Sequence, residues 1–133
     1  MIKKNVFDLS GKVALVTGGG HGLGRAYCEA MAEFGADVAC TDISLDRAQE
    51  TSNLIKQYGN RTIVVQGDVS KPDEVQCMVN QTVAELGAID IFFYTPGVPT
   101  PPVRLHELAI EDWDRSMAIN LRGVFLVCEL FFQ

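Results

Sequence analysis

The run from Gly18 to Gly24, Gly-Gly-Gly-His-Gly-Leu-Gly, has the composition of a loop that binds phosphate. The first backbone amides of a helix have no partner within the helix and together carry about half a positive charge. A pyrophosphate can lie against them where no Cβ blocks its approach. Gly18 would then form the tight turn, Gly22 would allow close approach, and Gly24 would let the helix pack on the preceding strand. A flexible loop with no ligand is the alternative, so the flanking sequence decides between them.

The glycine run separates a predicted strand from a predicted helix. Val13 to Val16 is a short apolar run, which is typical of a buried parallel strand. After the run, apolar residues recur at the spacing of one helix face, and Gly35 marks the end of that helix. The apolar face comprises Leu23, Ala26, Tyr27, Ala30, Met31 and Phe34. This order places the glycines at the carboxyl end of a strand, where an anion site is expected.

An acidic residue follows the second predicted strand, which spans about Asp37 to Thr41. Asp42 comes eighteen residues after Gly24, near the position of an acid that accepts hydrogen bonds from an adenosine ribose. Its charge would repel a 2′-phosphate by up to about 4 kcal/mol at 4 Å and an effective dielectric of 20. Half of that energy is more than a tenfold preference for NAD over NADP. A solvated acid at a strand end is the alternative.

Thr17 to Gly24 resembles the Thr-Gly-x-x-x-Gly-x-Gly signature of the short-chain dehydrogenase/reductase family. Asp68-Val69 and the segment from Met117 to Gly123 extend the resemblance over essentially the whole chain. The chain looks like the amino-terminal half of such an enzyme. The resemblance implies a Rossmann-type α/β fold, with helices on both faces of a parallel sheet of order 3-2-1-4. It also implies one partial dinucleotide-binding domain over residues 1–133 that ends before the fifth strand.

The resemblance further implies which residues hold the cofactor, NAD in preference to NADP. The implied cofactor-binding residues are Gly18, Gly20, His21, Gly22, Leu23, Gly24, Asp42, Ile43, Asp68, Val69 and Gly97. Members that prefer NADP often have a basic residue at the position of His21, but a neutral histidine would barely compete with Asp42. Asp68 and Val69 would bracket the adenine, whereas an acid that simply ends a strand is the alternative.

Asn120 is the one catalytic residue that the resemblance implies. In the family this asparagine kinks the long helix and holds a water in a proton relay. The alternative is a buried helical asparagine bonded to a neighbouring carbonyl. No metal site is expected, because the four cysteines lack C-x-x-C spacing and only His21 and His106 supply imidazoles.

Two departures from the family pattern affect the expected activity. Tyr94-Thr-Pro-Gly97 stands where the family usually has Asn-Asn-Ala-Gly, and Pro96 has no amide to donate. The family's catalytic serine and Tyr-x-x-x-Lys pair lie beyond Gln133, and no tyrosine in the chain has a lysine four residues later. We therefore expect NAD binding without independent turnover, and an alcohol or ketone substrate only when the enzyme is complete. A noncatalytic nucleotide-binding or interaction module is the alternative.

Composition restricts the possible partners and location. A net charge of −6 argues against nonspecific binding to nucleic acid or anionic membranes. No apolar run approaches the roughly 20 residues of a membrane helix, and the amino terminus lacks a signal-peptide pattern, so a cytoplasmic location is expected. Cys28, Cys40, Cys77 and Cys128 are interpreted as reduced core thiols.

The rest of the chain alternates helices with strands, as a parallel sheet requires. The predicted elements are a helix from the Ser44 cap to about Gln57, a strand at Thr62–Gln66, a helix capped by Ser70 and ended by Gly87, a strand at Ile89–Tyr94, and a helix from Ile110 to the end. Prolines between Pro96 and Pro102 form either a ligand-side loop or a simple connector. The last helix is apolar all round, so we expect a homo-oligomer through it or through the unpaired edge of the fourth strand.

Overall fold

The structure, a computed structural model, describes residues 6–131. Its centre is one parallel four-stranded sheet of order β3-β2-β1-β4. The strands are β1 at Val13–Thr17, β2 at Asp37–Asp42, β3 at Thr62–Gln66 and β4 at Ile91–Tyr94. The predicted fold class and strand order are therefore confirmed.

The fourth strand begins two residues later than predicted. The Asp90 carboxylate accepts hydrogen bonds from the Val13 amide at 2.9 Å and from Lys12 Nζ at 3.0 Å. The Asp90 side chain thus accepts the hydrogen bond from the Val13 amide that a strand carbonyl would otherwise accept. First the bond from Val13 and then that from Lys12 lower the pKa of Asp90 below its ordinary value.

Helices cover both faces of the sheet. They are α1 at Gly22–Glu33, α2 at Leu45–Ile55, α3 at Pro72–Leu86, α4 at Ile110–Met117 and α5 at Gly123–Phe131. Single 3₁₀ turns follow α2 at Lys56–Tyr58 and precede α4 at Leu105–Glu107. The predicted helix end at Gly35 is confirmed, with φ at +102°.

One of the two predicted helix caps is confirmed. Ser44 Oγ accepts a hydrogen bond from the Arg47 amide at 3.4 Å, as an N-cap does. Ser70 does not cap α3, because its amide and hydroxyl both donate to Asp68 Oδ1 and Lys71 takes the cap position. The Asp68 carboxylate therefore stabilises the turn before α3 by accepting two hydrogen bonds from Ser70.

The core consists of two layers, one on each face of the sheet. On one face Leu15 of β1 packs with Val75 of α3 and Val127 of α5. On the other face Val16 of β1 packs with Cys28 of α1 and Ile55 of α2. Alternate residues of β1 point to opposite faces, and every one of its five residues is buried. The glycine loop therefore follows the most buried strand of the sheet, which gives it a fixed base.

The four cysteines do not share one environment. Cys28 and Cys40 are buried side by side, and the hydrogen bond with Cys40, followed by burial, raises the pKa of the Cys28 thiol. Cys128 is half-buried. Cys77 is exposed, so its assignment to the core is wrong. It lies on the side of α3 away from the buried Val75 and Met78.

The last helical segment was predicted as one continuous α-helix, but the structure shows an interruption. Between α4 and α5, residues Ala118–Arg122 form a π-helical turn. The Tyr94 hydroxyl donates to the carbonyl of Ile119 within this turn. A Cβ on Gly123 would lie 2.2 Å from Tyr94 Oη, so glycine is required where the tyrosine enters. The part of the predicted helix beyond Phe131 lies outside the described residues.

Within this chain the last helical segment is buried on one side only, and the prediction that a second surface covers the other side is not tested. Leu126 and Leu130 pack on the core, whereas the side chains of Leu121 and Phe125 are 61% and 62% exposed. These two residues give the chain an exposed apolar helix face. The prediction that a second subunit covers this face stays a prediction.

Aromatic contacts cover part of the fourth strand. The rings of Tyr27 and Phe93 stack with centroids 4.4 Å apart, and Phe92 packs against the core layer that contains Leu15. The other edge of β4 has no strand partner within residues 6–131. Within the same residues, no helix combines the length and apolar character needed to cross a membrane.

Candidate functional site

A cleft of about 190 Å³ opens at the carboxyl ends of the strands, where the loops after all four strands meet. Its walls consist of Gly18, His21, Thr41, Asp42, Ile43, Arg47, Gly67, Asp68, Val69, Pro96, Gly97, Val98, Arg115 and Ile119. Seven of the eleven predicted cofactor residues are among them: Gly18, His21, Asp42, Ile43, Asp68, Val69 and Gly97. The other four, Gly20, Gly22, Leu23 and Gly24, lie in the glycine loop or in the first turn of α1 and do not line the cleft.

The glycine loop is a close-packed turn rather than a flexible connector. Gly18 has a φ of +70°, which favours glycine. A Cβ on Gly24 would lie 2.0 Å from the carbonyl oxygen of Gly18, so the start of α1 packs directly on the end of β1. Gly22 also has a positive φ, of +53°, and apart from its chain neighbours and the backbone of its own helix no atom of residues 6–131 lies within 4 Å of where its Cβ would be. Backbone is therefore accessible at Gly22, as close approach by an anion requires.

The amino terminus of α1 is left open for an anion. No side chain caps it, and its first turn holds no acidic residue. By contrast, α2 and α3 carry Asp46, Asp73 and Glu74 in their first turns. The positive end of the α1 dipole is thus not compensated by a side chain of the first turn, which suits a negatively charged ligand.

Asp42 is a buried, fixed carboxylate and not the solvated acid that was its alternative. Its side chain is 3% exposed. Its Oδ2 accepts from the Gly20 amide at 3.0 Å, and its Oδ1 accepts from the Ser44 amide at 2.9 Å. His21 Nδ1 lies 3.9 Å from Oδ2. Asp42 therefore joins the glycine loop to the start of α2 and presents its charge on the cleft wall.

Asp68 and Val69 form the wall at the end of β3. Asp68 Oδ1 accepts from the Ser70 amide at 2.9 Å and the Ser70 hydroxyl at 2.7 Å, while the Asp68 amide donates to Glu74 Oε2 at 2.7 Å. Bonds first from Lys71 and then from Asp68 lower the pKa of Glu74. These bonds hold Asp68 on the cleft wall, where the predicted adenine contact remains a prediction.

Thr95 links the loop after β4 to the loop after β1. It lies in the segment where the family usually has two asparagines. Its hydroxyl lies 2.7 Å from the carbonyl oxygen of Thr17 and 3.2 Å from that of Gly18. A Cβ on Gly18 or Gly24 would lie 2.6 Å from Thr95 Oγ1. The Thr95 hydroxyl thus links the two loops in a chain where Tyr94-Thr95 replaces the family's usual asparagines.

Asn120 clamps the proline loop to the π-helical turn. Its Oδ1 accepts from the Val98 amide at 2.9 Å, and its Nδ2 donates to the Val98 carbonyl at 2.9 Å and to Ser116 Oγ at 3.1 Å. The residue is exposed and does not line the cleft, so the burial in the alternative is wrong, whereas the bond of its side chain to a carbonyl is observed. The predicted catalytic role of Asn120 is not tested by these bonds. Residues 96–98 of the proline loop line the cleft, and the contact of this loop with a ligand stays a prediction.

Tyr94 is a structural donor that the sequence did not indicate. Burial and then the charge of Asp68 raise the pKa of Tyr94 to about 12. The hydroxyl therefore keeps its proton at neutral pH and donates it to the Ile119 carbonyl. This bond fixes the π-helical turn that carries Asn120.

Replacing Tyr94 by phenylalanine is expected to lower the free energy of unfolding by about 1–2 kcal/mol, because the Ile119 carbonyl loses its partner. Urea unfolding followed by circular dichroism measures the change. Tyr58→Phe is the matched control, since Tyr58 is exposed and should change the stability by less than about 0.5 kcal/mol. Equal midpoints for the two variants would contradict the role of this bond.

Two arginines on the cleft wall were missed. Arg47 follows the Ser44 cap by three residues, and Arg115 lies in the last turn of α4. Neither belongs to a motif, and their approach to the cleft depends on how α2 and α4 pack over the loops. The predicted cap at Ser44 was the only available signal, because it places Arg47 in the first turn beside the end of β2.

A metal centre has no support in residues 6–131, where no group of three or more His, Cys, Asp or Glu side chains could hold an ion. The cleft instead combines Gly18 and His21 of the glycine loop with the buried Asp42 carboxylate, and His21 directly precedes the open amino terminus of α1. This arrangement can bind a ligand that carries both a phosphate and a hydroxyl-bearing sugar.

A family of known proteins matches most of this chain. Residues 12–133 match the family described as short chain dehydrogenase. An uncharacterized oxidoreductase of Thermotoga maritima is 38% identical over 120 residues, which is 90% of this chain and 47% of that protein. The chain thus spans about half the length of the curated relatives it matches.

Solved structures agree with the fold. A short-chain type dehydrogenase/reductase from Mycobacterium marinum superposes with a TM-score of 0.90 at 35% identity, covering 95% of this chain and 51% of that one. An NAD⁺-bound xylitol dehydrogenase superposes with a TM-score of 0.89 at 27% identity, covering 92% and 47%.

Proposed function

Because the chain belongs to the short-chain dehydrogenase/reductase family, we propose that its cleft binds NAD(H). Residues 1–133 would form one partial dinucleotide-binding domain, the cofactor half of an oxidoreductase. The observation that carries the proposal is the buried Asp42 carboxylate, held on the cleft wall by the amides of Gly20 and Ser44. Bound NAD would supply the hydride acceptor, and NADH the donor, for the exchange with an alcohol or ketone.

The residues present fit the two ends of the adenosine diphosphate portion. The open amino terminus of α1 and the accessible backbone at Gly22 would bind the pyrophosphate. Asp42 would accept hydrogen bonds from the adenosine ribose hydroxyls, and Asp68 with Val69 would bracket the adenine. Ile43 is exposed on the same wall and would contact the base. Gly97 would lie toward the nicotinamide end, where Pro96 offers no amide.

Asp42 would make the chain prefer NAD over NADP. A 2′-phosphate beside a fixed carboxylate is repelled by an energy that even partial solvent screening leaves above about 1.4 kcal/mol, which is tenfold in affinity. The xylitol dehydrogenase with the same fold is an NAD⁺-bound protein. This likeness is consistent with the proposed preference.

Catalysis would require a tyrosine paired with a lysine, which the 133 residues do not include. None of Tyr27, Tyr58 and Tyr94 has a lysine four residues later, so none has the partner that lowers the pKa of the family's catalytic tyrosine. Asn120 would serve the proton relay only in a complete enzyme. We therefore expect the chain by itself to bind NADH without oxidising an alcohol or reducing a ketone.

A noncatalytic nucleotide-binding module is the second candidate. It is favoured by Tyr94-Thr95-Pro96, where a proline without an amide lines the cleft. In either case we propose a cytoplasmic protein that self-associates through the exposed Leu121 and Phe125 or through the free edge of β4.

Titration of the purified chain with NADH and NADPH, followed by nucleotide fluorescence, tests the proposal directly. We expect NADH to bind at least about tenfold more tightly than NADPH. Binding of neither nucleotide would contradict the cofactor assignment. Production of NADH from NAD and an alcohol by the pure chain would contradict the expected lack of turnover.

A further inference from the structure

Gly20, near the centre of the glycine loop, is held through both its amide and its carbonyl. The amide donates to Asp42 Oδ2 at 3.0 Å, and the carbonyl accepts from Arg25 Nη2 at 2.8 Å. The amide of the preceding Gly19 donates to the Thr41 carbonyl at 2.8 Å. The backbone of the loop is therefore fixed up to the residue before His21.

Arg25 reaches Gly20 from α1 and is itself anchored on α2. Its Nε donates to Thr51 Oγ1 at 3.1 Å, and its Nη2 also donates to Glu50 Oε2 at 3.1 Å. Thr51 is fully buried, and the Arg25 side chain is 30% exposed. Arg25 does not line the cleft, so its guanidinium holds the glycine loop from outside the cleft. Because Glu50 offsets its charge, Arg25 acts on a ligand chiefly through its bond to Gly20.

The Gly20 carbonyl and the His21 amide belong to one peptide group, so the direction of one fixes the direction of the other. In a trans peptide the C=O and the N–H point in opposite directions. The bond to Arg25 therefore turns the His21 N–H away from Arg25. No described residue accepts a hydrogen bond from this amide, and His21 lines the cleft at the amino end of α1. An open donor is thus available where the pyrophosphate is proposed to bind.

We propose, on the basis of the NAD(H) site proposed above, that Arg25 is a positioning residue for the pyrophosphate of the cofactor. Its bond to the Gly20 carbonyl holds the His21 amide in the direction needed to donate to a phosphate oxygen. Arg25 itself does not touch the ligand. Without it the peptide between Gly20 and His21 is free to rotate, and the phosphate loses this donor. The adenosine part of the site, assigned to Asp42 and Asp68, does not require Arg25.

Arg25→Met tests this role, because methionine keeps an unbranched apolar stem and removes every donor of the guanidinium. We expect the affinity for ADP, which carries the pyrophosphate, to fall about tenfold, the size of one lost charge-assisted hydrogen bond. The affinity for adenosine, which has no phosphate, should change by less than about twofold. Calorimetry measures ADP binding, and ligand-observed NMR measures adenosine binding. Arg25→Lys, whose ammonium can still donate to the Gly20 carbonyl, should bind ADP within about threefold of the wild type.

Arg61→Met is the matched control. Arg61 also donates to two backbone carbonyls and a carboxylate, but it lies before β3, at the other end of the sheet from the cleft. Its loss should lower the urea midpoint of unfolding and leave the affinity for ADP unchanged. A loss of ADP affinity in Arg61→Met equal to that in Arg25→Met would overturn the role of Arg25.

The ligand pair separates positioning from general loosening of the fold. Unchanged ADP affinity in Arg25→Met, or equal losses of ADP and adenosine affinity, would overturn the role of Arg25 alone. If Arg25→Met does not fold, Thr51→Val removes the hydroxyl that anchors the guanidinium, and we expect the ratio of ADP affinity to adenosine affinity to fall about threefold. An unchanged ratio in Thr51→Val would overturn the assignment. Failure of the wild-type chain to bind NADH would overturn the proposed function, and the role of Arg25 with it.

Discussion

Replacing Gly24 by alanine is expected to remove NADH binding below detection and to lower the free energy of unfolding by about 2–3 kcal/mol. The new Cβ would lie 2.0 Å from the carbonyl oxygen of Gly18 and 2.7 Å from its carbonyl carbon. Both atoms belong to backbone at the end of the fully buried β1, so the start of α1 must move instead. That movement would displace the amides proposed to bind the pyrophosphate.

Gly59→Ala provides the matched control for Gly24→Ala. Gly59 has a φ of +83° and no atom within 4 Å of its Cβ position, so alanine there suffers only from backbone strain. A cost of about 1 kcal/mol and unchanged NADH binding are expected. Urea unfolding and NADH fluorescence titration measure both quantities. Normal NADH affinity in Gly24→Ala would show that close packing at this glycine is not needed for the site.

Replacing Asp42 by alanine is expected to reduce the ratio of NADH affinity to NADPH affinity by at least about tenfold. The carboxylate that repels a 2′-phosphate is lost, and so are the acceptors of the Gly20 and Ser44 amides. Loosening of the glycine loop should weaken the binding of both nucleotides. The ratio of NADH affinity to NADPH affinity therefore isolates the effect of the lost charge. Parallel titrations with the two nucleotides measure it.

Asp42→Asn separates charge from loop structure. The amide side chain keeps one acceptor oxygen and the shape of the residue, so the loss of stability should be smaller than in Asp42→Ala. The NADH-to-NADPH ratio should nevertheless fall by a similar factor, because the charge is gone. If neither variant changes the ratio by more than about twofold, Asp42 does not select the cofactor, and another group of the cleft must do so.

The fold could be predicted where a single local pattern decides the structure. The bounds of β3 at Thr62–Gln66 were predicted correctly because an apolar, β-branched run lies between turn residues. Gly18, His21 and Asp42 line one cleft because loops at the carboxyl ends of parallel strands must meet. Local sequence therefore sufficed for the existence and order of the strands along the chain, although the start of β4 was predicted two residues too early.

Features that depend on contacts between distant segments could not be predicted. The π-helical turn depends on Tyr94, which enters the last helical segment from β4. The approach of Arg47 to the cleft depends on the packing of α2 over Gly20. In each case a tertiary partner, absent from any short window of sequence, decides the local structure.

The hydroxyl of Thr95 has a consequence for the motion of the cleft. It lies within hydrogen-bonding distance of the Thr17 and Gly18 carbonyls, and it fills the space that Cβ atoms on Gly18 and Gly24 would need. Thr95 and Gly18 are 77 residues apart in the chain, yet neither loop can shift without the other. We therefore expect the thermal fluctuations of the glycine turn and of the proline loop to be correlated. If a nucleotide orders the glycine turn, we expect it to order the proline loop on the opposite wall as well, including segments that it does not touch.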